Sequence, residues 1–284
     1  MMQNADGSPL LQAGRTAIMG ILNATPDSFS DGGLFISVGT AVDHVARMID
    51  GGADIIDIGG ESTRPGASPG SADEEMERVM PIIEAISRRF DVIISIDTSK
   101  SEVMYSAVSA GAAMINDVRA LKEKDALQTA VKVAVPVCLM HMQGQPQSMQ
   151  DEPVYNDVTA DVRGFLSERV DACVQAGIQL SNLILDPGFG FGKTREQNFK
   201  LLNELEDIRL HDLPILAGLS RKSLIGQTLD LDVRERAPAS IALALMAVWN
   251  GANILRVHDV KETCQAVRMV EAVVKEKIER AQKS

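Results

Sequence analysis

Eight times along the chain a short, apolar, largely β-branched run ends in a polar side chain or a glycine, and this recurrence limits the fold more than any other feature. The runs are Ile18 to Asn23, Ile55 to Gly60, Val92 to Asp97, Met114 to Arg119, Val137 to His141, Leu183 to Asp186, Ile215 to Ser220 and Ile254 to His258. They have the length and residue types of buried strands. Between them lie segments with apolar residues at three- and four-residue spacing, as in Thr40 to Gly51, Ala72 to Phe90 and Ala160 to Gly177. Glycines at 51, 111, 177 and 251 stand where such helices would stop. Strict alternation of strand and helix requires parallel pairing through right-handed crossovers. Eight units in 284 residues predict an α/β fold, a closed (β/α)8 barrel of the TIM type, with an open doubly wound sheet as the alternative. No linker, low-complexity stretch or charge block divides the chain. Residues 1–15 read as a lead-in and 16–284 as a single domain.

A closed barrel gathers the ends of its eight strands on one face, where barrel enzymes keep their sites. The residues expected there are Asn23, Asp57, Glu61, Asp97, Asn116, Asp117, His141, Asp186, Ser220, Arg221, Lys222, Arg256 and His258. Asp97, Asn116 and Asp186 offer the acceptors and the amide that suit the edge of an aromatic heterocycle with adjacent N–H groups, such as a pterin or guanine. Arg256, His258 and Lys222, with the amide of Asn23, suit a phosphate or diphosphate. Each residue also has a plainer reading. Asp97 or Asp117 would serve as an N-cap, His141 and His258 as satisfied core residues, Lys193 and Arg195 as solvated cations, and Asp57 as a paired inward-facing residue. It is the repetition at strand after strand that favours a shared pocket.

Three loops add to the mouth. Asp186-Pro187-Gly188-Phe189-Gly190-Phe191-Gly192-Lys193 follows the sixth run, and its glycines accept positive φ so that a turn can hold Asp186 against a ligand while Phe189 or Phe191 covers it. Asn23 to Gly33 and Gly59 to Gly66 are longer than a tight βα turn and rich in hydroxyls, glycine and proline, as in loops that close over ligands. None of the three is a GxxxxGK[ST] phosphate loop or a GxGxxG dinucleotide fingerprint, so nucleotide hydrolysis and nicotinamide chemistry lose support. The net charge of -11 and the isoelectric point near 4.9 argue against a nucleic-acid surface. Three dispersed cysteines without a CxxC suggest a reducing compartment. The first fifteen residues lack an apolar signal core, and the longest apolar run, Ile241 to Val248, is too short for a bilayer. A cytoplasmic location and no membrane partner are therefore expected.

Taken in order, Met19 to Gly33, Asp57 to Gly66, Ile96-Asp97-Thr98, Ile115-Asn116-Asp117, Leu185 to Lys193, Ser220-Arg221-Lys222-Ser223 and Arg256-Val257-His258-Asp259 closely resemble the dihydropteroate synthase family of bacterial folate synthesis. The resemblance runs from about Ile18 to the last helix. It implies a barrel transferase, usually a homodimer, that joins 6-hydroxymethyl-7,8-dihydropterin diphosphate to p-aminobenzoate with Mg2+, releases diphosphate, and is inhibited by sulfonamides. By position it implies a pterin pocket of Asp97, Asn116, Met140, Asp186, Gly218 and Lys222. It likewise implies a diphosphate site of Asn23, Arg256 and His258, with Asn23 toward the metal, and a p-aminobenzoate site of Phe29, Thr63, Arg64, Pro65, Phe191 and Ser223. Asp97, Lys222, Arg256 and His258 are the residues it makes catalytic. Departures are small: Ala24 stands where valine is common, and Ala239 where glycine commonly precedes the serine. Two related readings stay open, a methyltetrahydrofolate-binding corrinoid methyltransferase and a noncatalytic pterin-binding subunit, and a generic phosphosugar barrel enzyme is a third.

Overall fold

The computed structural model describes residues 11, 14–25, 37–61, 70–144 and 153–282, with side chains to residue 275. Strands β1 (Ala17–Asn23), β2 (Ile55–Gly59), β3 (Ile93–Asp97), β4 (Met114–Asp117), β5 (Val137–Met140), β6 (Leu183–Asp186), β7 (Leu216–Ala217) and β8 (Ile254–Val257) coincide with the eight apolar runs to within a few residues. All pair in parallel, in the order β6-β5-β4-β3-β2-β1-β8-β7. A parallel bridge from Leu185 to Ile215 joins the two edges and closes the ring. The fold is a (β/α)8 barrel.

Helices α1 (Val38–Asp50), α2 (Ala72–Arg89), α3 (Ser101–Ser109), α4 (Ala126–Val133), α5 (Val158–Ala176), α6 (Arg195–Asn203), α7 (Ser223–Leu229), α8 (Ala237–Trp249) and α9 (Val260–Gln282) surround it. Their ends follow local chemistry. Ser71 and Glu74 form a capping box on α2, Thr194 and Gln197 another on α6, and Gly177 ends α5 at φ 110°. Where a single helical segment is expected between the last two strands, two occur. Asp230 turns left-handed at the end of α7, and Pro238 in the first turn of α8 starts a new helix.

Period-two alternation along each strand sorts the side chains into two cores. One parity faces the helices and forms the larger core, with Ile18, Leu22, Ile56, Ile58, Ile94, Ile96, Ile115, Leu139, Leu185 and Leu255 among its members. The other parity faces the barrel axis, where Ala17, Met19, Ile55, Met114, Cys138, Ile184, Leu216 and Ile254 fill the lower half. Two residues further along each strand, the same inward parity brings Asp57, Ser95, Asn116, Met140, Asp186, Gly218 and Arg256 to the upper half, with Asn23 and Asp97 one step above. The apolar plug holds the floor, and the polar layer above it is the site. Among the described residues, no helix is long and apolar enough to cross a membrane.

Candidate active site

Arg256 is the hub of the polar layer. From β8 its Nε donates to Asp57 Oδ2 at 2.6 Å and its terminal nitrogen to Asp97 Oδ2 at 2.7 Å, so one guanidinium crosses to two strands. Asn116 Nδ2 donates to the same Asp57 oxygen at 3.1 Å. Asp57 is fully buried, and its Oδ1 has no hydrogen-bond partner. Burial opposes the charge on Arg256, but the fields of Asp57 and Asp97 outweigh it and hold the guanidinium above its ordinary range. Asp97 is pushed up to about 7 by burial, with Arg256 pulling the other way and Asp57 adding to the rise.

On the opposite wall, Asp186 ends β6 beside Met140 of β5 in the sheet register. Its Oδ1 accepts the Gly188 amide at 2.7 Å, and its main-chain carbonyl accepts the His141 amide at 2.9 Å. Burial raises its pKa, with Lys222 the main opposing influence. Lys222, the N-cap of α7, donates from Nζ to the Phe189 carbonyl and lies 4.6 Å from the centre of the Phe191 ring. Desolvation lowers its pKa to about 8, against the pull of Asp186. Gly218 stands between the two cations. A Cβ there would reach Arg256 at 3.8 Å and Lys222 Nζ at 3.9 Å. Asn23 and Asp97 meet over Gly59, their oxygens within 3.9 and 3.6 Å of the place its Cβ would take.

His258 is exposed at the rim, its Nδ1 3.0 Å from Ser220 Oγ. Ser223 is exposed at the start of α7 and borders a cavity of about 390 Å³ that Gly190, Gln227 and Arg195 also line. Phe189 is a core residue at 0% exposure, so of the two loop phenylalanines Phe191 is the one placed at the site. Phe29, Thr63, Arg64 and Pro65 lie outside the described residues.

Several mouth candidates are spent on structure. Asp117 has outward parity and caps its own turn, accepting from the amides of Arg119 and Leu121 and from Ser99 Oγ. His141, also outward, packs edge-on to Phe165 of α5 at 5.0 Å. Glu61 pairs with Lys100 at 2.8 Å and accepts the Gly70 amide, while Arg221 pairs with Asp259. Lys193, expected in solvent, is instead buried at 3% exposure. Asp57 is paired and inward-facing, as its plainer reading has it, yet it orders two other site residues.

A parallel barrel whose strand ends converge buried carboxylates, an amide and two cations on one concave face is built as a (β/α)8 enzyme for a ligand combining a polar ring with an anion. The pterin binding enzyme family model matches residues 19–258. The dihydropteroate synthase of Escherichia coli (strain K12) is 53% identical over 260 residues, 92% of each chain. The crystal structure of Yersinia pestis dihydropteroate synthase in complex with a sulfonamide drug superposes with a TM-score of 0.90 at 50% identity, covering 93% of this chain and 96% of that one. The Xanthomonas albilineans enzyme in complex with 7,8-dihydropteroate gives a TM-score of 0.82 at 44% identity, covering 91% and 94%. The chain belongs to the pterin-binding enzyme family.

Proposed function

We infer that the chain catalyses the dihydropteroate synthase reaction of folate synthesis, condensing 6-hydroxymethyl-7,8-dihydropterin diphosphate with p-aminobenzoate to give 7,8-dihydropteroate and diphosphate. The observation that carries the reading is the Arg256 bridge between Asp57 and Asp97, set beside Asn116 and facing Asp186 and Lys222. It supplies negative potential for a ring and positive charge for a departing anion in one pocket. The relatives named above act in the same way by name, and the complexes with a sulfonamide and with dihydropteroate extend the reading to those ligands.

In this reading Asp97, Asn116, Asp186 and Lys222 bind the pterin edge, with Met140 and Gly218 lining it. Asp186 accepts from adjacent ring N–H groups, and Lys222 donates to the opposite heteroatoms. Asn23, Arg256 and His258 take the diphosphate, and Phe191 and Ser223 flank p-aminobenzoate together with Phe29, Thr63, Arg64 and Pro65. The carbon–oxygen bond to diphosphate breaks first, because the electron-rich dihydropterin delocalises the methylene cation. Asp97 and Asp186 stabilise that cation while Arg256 and His258 hold the anion, and both interactions strengthen as charge separates. The amine then bonds the carbon. The protonated arylamine so formed is strongly acidic, so it sheds its proton without an enzymic base. What the enzyme must supply is position and the exclusion of water.

Mg2+ belongs to the proposal. Among the described residues no group of three or more His, Cys, Asp or Glu could hold a metal, and Mg2+ commonly keeps waters and substrate phosphate oxygens beside one or two protein groups. The half-buried Asn23 carboxamide, whose oxygen lies on the Gly59 side of the pocket as Asp97 does, fits that single-donor role. When bound, the ion would neutralise charge on the leaving diphosphate. A homodimer is supported by exposed apolar side chains on two packed helices, Trp249 and Met269 at 67% and Val273 at 65%, whereas Val267 on the other face of α9 is fully buried. A cytoplasmic location belongs to the same reading, supported by the free thiols of Cys138, Cys173 and Cys264. The test is diphosphate release by the purified protein, with Mg2+ and the dihydropterin diphosphate, with and without p-aminobenzoate, while the pterin product is followed. Release coupled to dihydropteroate formation is expected. Tight pterin binding without release would refute it.

A further inference from the structure

The Gly188 to Gly192 turn contains three glycines at positive φ (66°, 78° and 60°), and its carbonyls are bound largely by side chains from other elements. Lys222 takes Phe189 O, and the Tyr155 hydroxyl donates to Gly192 O at 2.7 Å. Asn198 of α6 accepts the Gly190 amide at 2.7 Å. The largest share falls to Lys193. Its buried Nζ donates to Gly188 O at 2.9 Å and to Phe191 O at 3.1 Å, and lies 3.0 Å from His141 Nδ1. Desolvation lowers the Lys193 pKa to about 7, against the pull of Asp186; in its ammonium form it has three protons, and here each has an acceptor. His141 is held neutral, its pKa pushed down to about 2 by burial and by the Lys193 charge, and in the tautomer with its proton on Nε2 the ring leaves Nδ1 to accept from Lys193. The His141 amide in turn donates to the Asp186 carbonyl.

We propose that Lys193 is a positioning residue of the pterin pocket: its buried ammonium ties the Gly188 and Phe191 carbonyls to His141 at the end of β5, and so fixes Asp186 and Phe191. Two contacts link the brace to the site. The Gly188 amide that bonds Asp186 belongs to the peptide chain whose next carbonyl Lys193 holds. Phe191, whose carbonyl Lys193 also holds, places its ring under Lys222. When protonated, Lys193 also favours the ionised form of Asp186. A lysine is needed because neither a glutamine nor an apolar side chain supplies three donors at the end of so long a stem.

The proposal rests on the synthase reading, and the wild-type protein tests that reading separately. Binding of 6-hydroxymethylpterin is measured by titration calorimetry on the full-length chain, together with the KM of each substrate, kcat and the thermal midpoint. Lys193→Met keeps the stem and removes all three donors. The change leaves the Gly188 and Phe191 carbonyls and His141 Nδ1 without their donor, so a moderate loss of stability accompanies it. The expected result is a folded protein with a thermal midpoint lowered by several degrees, pterin affinity weaker by roughly tenfold to a hundredfold, and KM raised more than kcat is lowered. Lys193→Gln, which keeps one donor head, should recover part of the affinity, and it takes the place of the methionine variant should that one not fold. Wild-type pterin affinity and unchanged KM values in either folded variant would overturn the proposal. So would a loss of binding matched by an equal loss of stability and spread evenly over both substrates. A wild-type protein that binds no pterin would instead sink the synthase reading itself.

Discussion

Asp57→Asn removes one negative charge from the barrel interior and changes little else in shape. The wild-type Oδ2 accepts from Arg256 at 2.6 Å and from Asn116 at 3.1 Å, and a carboxamide oxygen can keep those contacts only weakly. Stripping a buried ion of its only partner costs about 3–5 kcal/mol. Arg256 keeps Asp97 at 2.7 Å, however, so the loss of a hydrogen bond to a charged group, about 1.5–3 kcal/mol, is the better scale. If the whole amount is felt in the transition state, kcat/KM falls about ten- to 150-fold.

The pH dependence gives a signature that mere loosening of the fold would not. In the free protein, burial pushes Asp97 up to about 7 against the pull of Arg256, and the Asp57 charge adds to the rise. If Asp97 must be ionised to act, kcat/KM declines as pH drops through about 7, because that ratio reports the free enzyme. Without the Asp57 charge, Asp97 ionises more readily and the acid limb moves to lower pH. Steady-state dihydropteroate formation, measured across about pH 5 to 9, would show both effects. An unmoved limb with an undiminished rate, or a limb moved upward, would refute the reasoning.

Lys222→Ala should lower turnover by roughly 10²- to 10³-fold, the scale of losing one charge-stabilising donor. In the wild type, kcat/KM should also fall as pH rises through about 8, where Lys222 loses its proton, and steady-state rates in the variant should lack that limb. Asp186→Asn should leave the fold intact by circular dichroism but weaken pterin binding about tenfold or more in calorimetry, since an amide cannot accept from two ring N–H groups while also receiving the Gly188 amide. Gly188→Ala should abolish pterin binding and lower the thermal midpoint, because at φ 66° its Cβ would collide with the His141 carbonyl.

The barrel was legible because buried parallel strands must be apolar on both faces, so eight runs stand out without help from tertiary contacts. The site was legible to the extent that side chains come from the inward parity. Asn116 and Asp186 lie two residues beyond Met114 and Ile184, and Arg256 two beyond Ile254. The same count places Asp57 two beyond Ile55, among the inward residues, which is where its plainer reading as a paired inward-facing residue puts it. The count would also have set Asp117 and His141 aside, for both fall on the parity that faces helices. Lys193 could not be read this way, since it lies in a loop, and its burial depends on His141 and the Gly188 turn meeting in space. Phe29, Thr63, Arg64 and Pro65, which lie outside the described residues, were assigned from resemblance alone, because long βα loops carry no period from which to infer direction.

Depth within the pocket follows the order in which charge must be handled. Asn116 and Asp186 are 3% and 5% exposed, and strand register fixes where each projects, so the groups proposed to bind the ring form a rigid layer on the apolar floor. A cation developing on the ring would therefore meet carboxylates that need no rearrangement, which is where preorganised electrostatics contributes most. His258 and Ser223, by contrast, are exposed at the rim. Groups at the rim can bind an anion and still let it go, because water replaces their interactions as it departs. Arg256 joins the two levels: its guanidinium is tied to Asp57 near the floor and to Asp97 one step higher. Held by both carboxylates, the guanidinium is fixed before substrate arrives, so a diphosphate reaching it would also meet a group that needs no rearrangement.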